Sequence, residues 1–288
     1  MIDRLCVIGV GLMGGSIALG VRQKHLAREV VGVDSDEANL QKALALGVVD
    51  KASTAVAEGA KDADMVVIAA PVGATESILG ALKPVWSDHC VYTDTGSTKL
   101  SVIDAARRVF GKVPTRFVPG HPVAGAERSG VGAAKTNLYE GKRVILTPRE
   151  DTDARAVTQV EQLWGQLGAK VSCMEPGHHD EVLAATSHLP HVLAFVLTEM
   201  LGRKDEQQEI FQYAAGGFRD FTRIASSDPH MWRDICLANR EEIVSLIGQY
   251  REALQQAAEL MSAGDAEALL ALFSDARAAR QRFLDTLE

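Results

Sequence analysis

The amino-acid sequence predicts an α/β domain built on a doubly wound, mostly parallel sheet, followed by an all-helical domain. Three observations carry this. Short β-branched runs alternate with helical stretches over residues 1–174, the rhythm of βαβ units. The first run passes directly into a glycine-rich turn, Gly9-Val10-Gly11-Leu12-Met13-Gly14, and then into a helix-forming stretch. From Glu175 onward no strand pattern returns, and capping residues punctuate a series of helices.

Taken in order, strands are expected at Arg4–Gly9, Glu29–Asp34, Met65–Pro71, Cys90–Gly96, Arg116–Pro122, Arg143–Pro148 and Ala169–Met174. Leu12 to about Lys24 reads as the first helix. His178–Leu201 reads as one long apolar helix bent at Pro190, whose ring interrupts the backbone ladder. Gly202–Asp205 and Gly216-Gly217 separate further helices. Asp228-Pro229 supplies an N-cap followed by proline at the first helical position, opening a helix to about Met261. Gly264 ends it, and a last helix runs from Ala266 to about Leu287. The boundary between a first domain, residues 1–174, and a second, residues 175–288, falls near Glu175.

The 288 residues suffice for two domains with a cleft between them. At 47% hydrophobic and 24% charged, the composition excludes a disordered, collagen-like or membrane-embedded chain. The formal charge of −8 belongs to the second half, where ten basic side chains face nineteen acidic ones after Cys173. Neither half is basic, which argues against a nucleic-acid or anionic-membrane partner. Cys6, Cys90, Cys173 and Cys236 lie far apart with no CxxC pair, the usage of a reduced, cytoplasmic protein rather than a disulfide frame or zinc site. No secretory signal is visible, and the apolar stretches fall short of the ~18 residues a membrane span needs.

The glycine turn has a mechanism. Gly9 permits the tight bend, Gly11 lets a pyrophosphate approach the backbone, and Gly14 allows the helix to pack on the strand. Amides at the helix N-terminus, at Leu12 and Met13, then meet the phosphates. Twenty residues past Gly14, Asp34 ends the second strand, where its carboxylate accepts hydrogen bonds from an adenosine ribose. A 2′-phosphate would meet like charge, and Ser35, Asp36 and Glu37 supply no arginine. NAD is favoured over NADP.

Two segments follow the fourth and fifth strands at the sheet edge where ligands bind: Thr93-Asp94-Thr95-Gly96-Ser97-Thr98-Lys99 and Gly120-His121-Pro122-Val123-Ala124-Gly125-Ala126-Glu127. A histidine there takes a proton from a hydroxyl while a nicotinamide takes hydride. A lone histidine is more often structural, but the Gly- and Pro-flanked turn at a strand end favours the functional role for His121.

With these segments the chain resembles the prephenate/arogenate dehydrogenases of tyrosine biosynthesis. The likeness rests on Val7-Ile8-Gly9-Val10-Gly11-Leu12-Met13-Gly14-Gly15-Ser16, Asp94-Thr95-Gly96-Ser97, Gly120-His121-Pro122, Ser187-His188-Leu189-Pro190-His191 and Gly216-Gly217-Phe218-Arg219-Asp220-Phe221-Thr222-Arg223. It spans essentially the whole chain and implies a Rossmann-type first domain. It also implies NAD-dependent oxidative decarboxylation of prephenate, or of L-arogenate, to 4-hydroxyphenylpyruvate or tyrosine. By this resemblance His121 accepts the proton of the ring 4-hydroxyl, and Ser97 hydrogen-bonds that hydroxyl and the histidine near the nicotinamide. Arg223 binds a substrate carboxylate and His191 contacts the substrate side chain. Glu127, Arg219 and Asp220 join an ionic network at the pocket mouth, with Trp232 and His179 near the pocket. The family's helical domains pair into homodimers, which suits the apolar stripe of Leu246, Leu254, Leu269, Leu272 and Phe273.

Rival readings are weaker. The histidines at 178, 179, 188 and 191 suggest a metal, but His179 lies about half a turn out of phase with His188, and no HExxH or cysteine accompanies them. A β-hydroxyacid dehydrogenase would use a lysine in the helical half, which holds only Lys204. A non-catalytic NAD-binding module would bind cofactor without turnover. No segment resembles a fused chorismate mutase or a C-terminal ligand-sensing domain.

Overall fold

The computed structural model describes residues 1–125, 129–205 and 209–286. Its first strands and helices run β1 (Ile2–Ile8), α1 (Leu12–Gln23), β2 (Ala27–Val33), α2 (Glu37–Ala45), β3 (Lys51–Ser53), α3 (Val56–Ala60), β4 (Met65–Ile68), α4 (Thr75–Leu82), β5 (Val91–Asp94), α5 (Leu100–Phe110) and β6 (Phe117–Val118). All six strands are parallel, in the order β3-β2-β1-β4-β5-β6, the doubly wound arrangement of a Rossmann sheet. Both faces are covered. Along β1, Leu5 and Val7 enter one core with Val10, Ile17 and Trp164, while Cys6 and Ile8 enter the other with Leu79, Tyr92 and Phe117. A strand buried on both sides reads as an unbroken apolar run, which is why these strands are legible in the sequence. β3 is not, being three residues long with two of them, Lys51 and Ser53, polar.

The strand expected over Arg116–Pro122 is two. β6 ends at Val118, and after Pro119 the chain starts β7 (Gly120–Val123), which belongs to a second sheet with β8 (Arg143–Leu146) and β9 (Lys170–Cys173). β7 runs antiparallel to β8, and β8 parallel to β9. The next amide facing β5, that of Gly120, goes to the Asp94 side chain instead of the ladder, while the Pro119 carbonyl, on the other side of the strand, accepts from Thr147. α6 (Ala154–Gln166) packs Trp164 beneath.

Helices follow: α7 (Pro176–Leu183), a π turn (Ala184–His188), α8 (Leu189–Lys204), α9 (Glu209–Gln212), α10 (Gly216–Thr222) and α11 (Pro229–Ala238). The irregularity expected at Pro190 falls just before it, as the π turn, with Pro190 itself in the first turn of α8. This 29-residue run, Pro176–Lys204, is long and apolar enough by composition to cross a bilayer, where the sequence pattern suggests no such stretch. Scattered polar residues hide it from a search for unbroken apolar runs, and several of those residues line the site described below. Asp228 caps α11 by accepting from Met231 N at 2.8 Å, as expected. The helix does not continue to Met261, because Asn239 leaves helical geometry and turns its side chain inward.

Packing divides the chain into Met1–Arg240 and Glu241–Glu288, with the change from strands to helices lying inside the first unit. The second unit holds most of α12 (Arg240–Ala263) and α13 (Ala266–Asp285), joined where Gly264 adopts φ +65°. Leu254, Met261, Leu270 and Phe273 on these helices are exposed.

Candidate active site

The glycine turn lies between β1 and β4, where the strand order reverses. Its three glycines have three different reasons. At Gly9, φ is +90° and an added Cβ would lie 2.5 Å from the Ala69 carbonyl oxygen. At Gly14 a Cβ would lie 2.0 Å from the Gly9 oxygen and 2.8 Å from Val7. At Gly11 nothing stands within 4 Å, so only a ligand would feel the methyl group. Gly11 is also the N-cap of α1 and has no side chain to cap it, leaving the amides at Leu12 and Met13 for an external acceptor.

Asp34 closes the turn from β2. Its carboxylate accepts from Val10 N at 2.9 Å, Asn39 Nδ2 at 3.2 Å and Asp36 N at 3.1 Å. Asn39 in turn donates to the Val10 carbonyl at 2.9 Å and accepts from Val131 N at 3.2 Å. An open glycine, an uncapped helix and an acid at the end of the second strand fit a dinucleotide with a free ribose diol.

Beyond β5 the chain builds a buried polar cluster. Lys99 and Asp94, at 0% and 2% exposure, form an ion pair of 2.6 Å. Lys99 Nζ also donates to the Gly120 carbonyl at 2.7 Å, and Asp94 accepts from Gly120 N at 3.1 Å and Gly96 N at 2.7 Å. Buried charges are tolerated when paired and hydrogen-bonded, and here Lys99 has two acceptors and Asp94 three donors. The consequence is positional: both backbone polar groups of the residue preceding His121 are pinned.

His121, on β7, is buried with Nδ1 2.9 Å from Nε2 of His179. His179 Nδ1 lies 2.8 Å from Asp180 Oδ1, and the Asp180 carboxylate also accepts from the amides of Lys99 at 2.7 Å and Leu100 at 2.9 Å, capping α5. Burial holds His121 well below the ordinary imidazole value, reinforced by the nearness of His179, the Lys99 ammonium and His188, each of which disfavours a further positive charge. His179 is lowered by burial too, against the pull of Asp180. Both rings are neutral near pH 7 and able to accept a proton.

The helical side continues the chain of contacts. Asn239 Nδ2 donates to the Asp180 carbonyl at 2.8 Å and to His188 Nδ1 at 3.1 Å. Burial lowers His188 to about 4, while the backbone of Ser97, half-buried in the loop between β5 and α5, pulls the other way. Trp232 stacks on His191 with centroids 3.7 Å apart and presents its edge to His188 at 6.1 Å. His191 Nδ1 donates to the Ser187 carbonyl at 2.8 Å. Arg223, in the short turn after α10, is near enough for its charge to oppose protonation of His191, although burial is the larger cause of that lowering.

Of the residues expected from sequence, His121, His179, His191, Trp232, Ser97 and Arg223 therefore fall along one connected path. Arg219 and Asp220 do not join it: on α10 they are 83% and 78% exposed and face each other at 3.7 Å. Glu127 lies outside the described residues. Sequence reasoning missed Asp94, Lys99, Asp180, His188, Asn239 and Asn39 as site components. A signal for Lys99 existed, since it ends the Thr93–Lys99 segment beside an acid, but nothing local marks Asp180 or Asn239.

Comparison with known proteins agrees with this geometry. Residues 17–173 match a family model described as prephenate dehydrogenase, nucleotide-binding domain, and residues 175–275 one described as prephenate dehydrogenase, dimerization domain. The first match begins after the glycine turn. A prephenate dehydrogenase of Bacillus subtilis is 39% identical over 96% of this chain and 75% of its own length. A cyclohexadienyl dehydrogenase of Zymomonas mobilis is 33% identical over 96% and 94%. The crystal structure of prephenate dehydrogenase from A. aeolicus with hydroxyphenyl propionate and NAD+ superposes with a TM-score of 0.91 at 36% identity, covering 98% of this chain and 99% of that one. From its buried histidines, its sheet and these relatives, the chain belongs to the prephenate dehydrogenase family of NAD-dependent oxidoreductases.

Proposed function

We propose that this enzyme oxidises and decarboxylates prephenate to 4-hydroxyphenylpyruvate, with His121 as the proton acceptor. The observation that carries the reading is a neutral, buried imidazole held in place by the Asp94–Lys99 pair and joined through hydrogen bonds to the helical side of the pocket. The substrate is a cyclohexadiene bearing a ring carboxylate, a pyruvyl side chain and a 4-hydroxyl. NAD, cradled by Gly9, Gly11, Leu12, Met13, Gly14 and Asp34, supplies the hydride acceptor when bound. His121 draws on the hydroxyl proton, an effect worth on the order of 10² to 10⁴ in rate. Ser97 orients the hydroxyl, Arg223 takes a carboxylate and His191 meets the side chain. Holding these groups in one place makes the encounter effectively intramolecular.

Residues 1–174 act as the cofactor half and 175–288 as the substrate and dimerisation half. The dimer forms through the helical half, where exposed Leu254, Met261, Leu270 and Phe273 need cover. The free cysteines suit the cytoplasm, Cys6 and Cys90 being pushed up to about 12 by burial and so unreactive. The test is NADH formation followed by absorbance with prephenate, with L-arogenate and with NADP in place of NAD. Turnover is expected with prephenate and NAD; cofactor binding without reduction on either substrate would leave a binding module instead.

A further inference from the structure

We propose that His179 and Asp180 are positioning residues that act through His121, the three forming a sealed relay that borrows the substrate's hydroxyl proton and returns it to the product. The inference rests on the oxidative decarboxylation proposed above. Hydrogen-bond roles follow from the acid end. The Asp180 carboxylate only accepts, so His179 Nδ1 carries the proton and, in the neutral ring, Nε2 presents a lone pair. His121 Nδ1, 2.9 Å away, must then be the donor, which leaves its Nε2 with a lone pair to accept a proton. One carboxylate thus sets the tautomer two rings away.

The balance of the reaction explains why the relay is closed. C4 gives up hydride to the nicotinamide, the electron pair of the bond to the ring carboxylate completes the aromatic ring, and that carboxylate leaves as CO₂. A dianion and a cationic cofactor become a monoanion, CO₂ and a neutral cofactor, so no proton is released. A proton passed from the hydroxyl to His121 Nε2, with the Nδ1 proton moving to His179 Nε2, must travel back to the phenolic oxygen. A path open to water would lose it. His179 and Asp180 are instead 0% and 1% exposed. The Lys99 ammonium is bonded to Asp94, which leaves Asp180 as the anion facing an imidazolium on His179. The other groups near the pair are Lys99, Asp94 and His188.

His179→Gln keeps the Asp180 cap on α5 and tests the relay in the full chain. Single-turnover hydride transfer in mixtures of H₂O and D₂O is expected to give a curved proton inventory for the native enzyme and a straight one for His179→Gln. In that variant kcat falls about 10- to 100-fold while KM for prephenate and NAD stays within about twofold. Asp180→Asn removes the charge that favours imidazolium, so the acid limb of kcat/KM moves down by about one pH unit. A straight inventory in the native enzyme, or native kcat in His179→Gln, overturns the relay while leaving the reaction itself intact. Absence of any turnover by the native chain would overturn the reaction. If Asp180→Asn does not fold, His179→Gln decides alone.

Discussion

The His121 cluster and the exposed helix α10 are built differently. Around His121 the charged and polar groups are buried and already bonded: Lys99 to Asp94, Asp94 to Gly120, Asp180 to the α5 amides. On α10 the charged groups are in water, and Arg219 faces Asp220 at 3.7 Å on a surface where such pairs contribute little. The His121 cluster is bonded within the chain itself, so its energy resides in the fold. The α10 charges, by contrast, remain solvated, and little of the fold's energy depends on them.

That contrast orders the expected effects. His121→Asn should lower kcat about 10³-fold with KM little changed, read by steady-state kinetics; loss of only a few-fold would end the proton-acceptor role. Lys99→Met leaves Asp94 charged and unpaired in the interior and should cost about 3–5 kcal/mol, seen as a lower Tm, with Lys99→Met/Asp94→Asn recovering part of it. Arg223→Gln should raise KM about tenfold or more and lower kcat less, since its contact strengthens on binding rather than in the chemical step. Stability should also fall as the solution is acidified. His121, His179 and His188 stay neutral when folded but take protons near 6.5 when unfolded, so the unfolded state binds more protons and Tm drops below about pH 6.5. For the same reason the acid limb of kcat/KM should lie below pH 6.5. Smallest of all, Asp220→Asn should move stability by less than about 0.5 kcal/mol. A large loss there, measured by thermal unfolding, would show that the exposed end is tied into the fold as firmly as the buried one.

What could be read from sequence follows the same division. The parallel strands announce themselves because both faces are apolar, and Gly9, Gly11 and Gly14 because backbone geometry or a close-lying ligand allows nothing else. His121 stands out through its Gly and Pro neighbours. Asp180 and Asn239 are ordinary polar residues in helical sequence, and apart from the Asp180–His179 bond their side-chain hydrogen bonds are with residues at least 50 positions away in the chain. Lys99 would pass for a surface lysine until the fold closes over it. Gly120 changed the outcome in another way: its amide bonds the Asp94 side chain rather than the β5 ladder, and His121 falls in a second sheet instead of at the end of the first.

The π turn at Ala184–His188 carries a last consequence. Such a turn behaves as a one-residue insertion in an otherwise regular helix, and each residue advances the helical direction by about 100°. Deleting a single alanine there would keep every pocket side chain yet rotate all that follows, swinging His191 off the Trp232 ring while His179 stayed put. The register of this helix, as much as its composition, sets the His191–Trp232 stack, and a version shortened by one residue should lose that stack before it loses its fold.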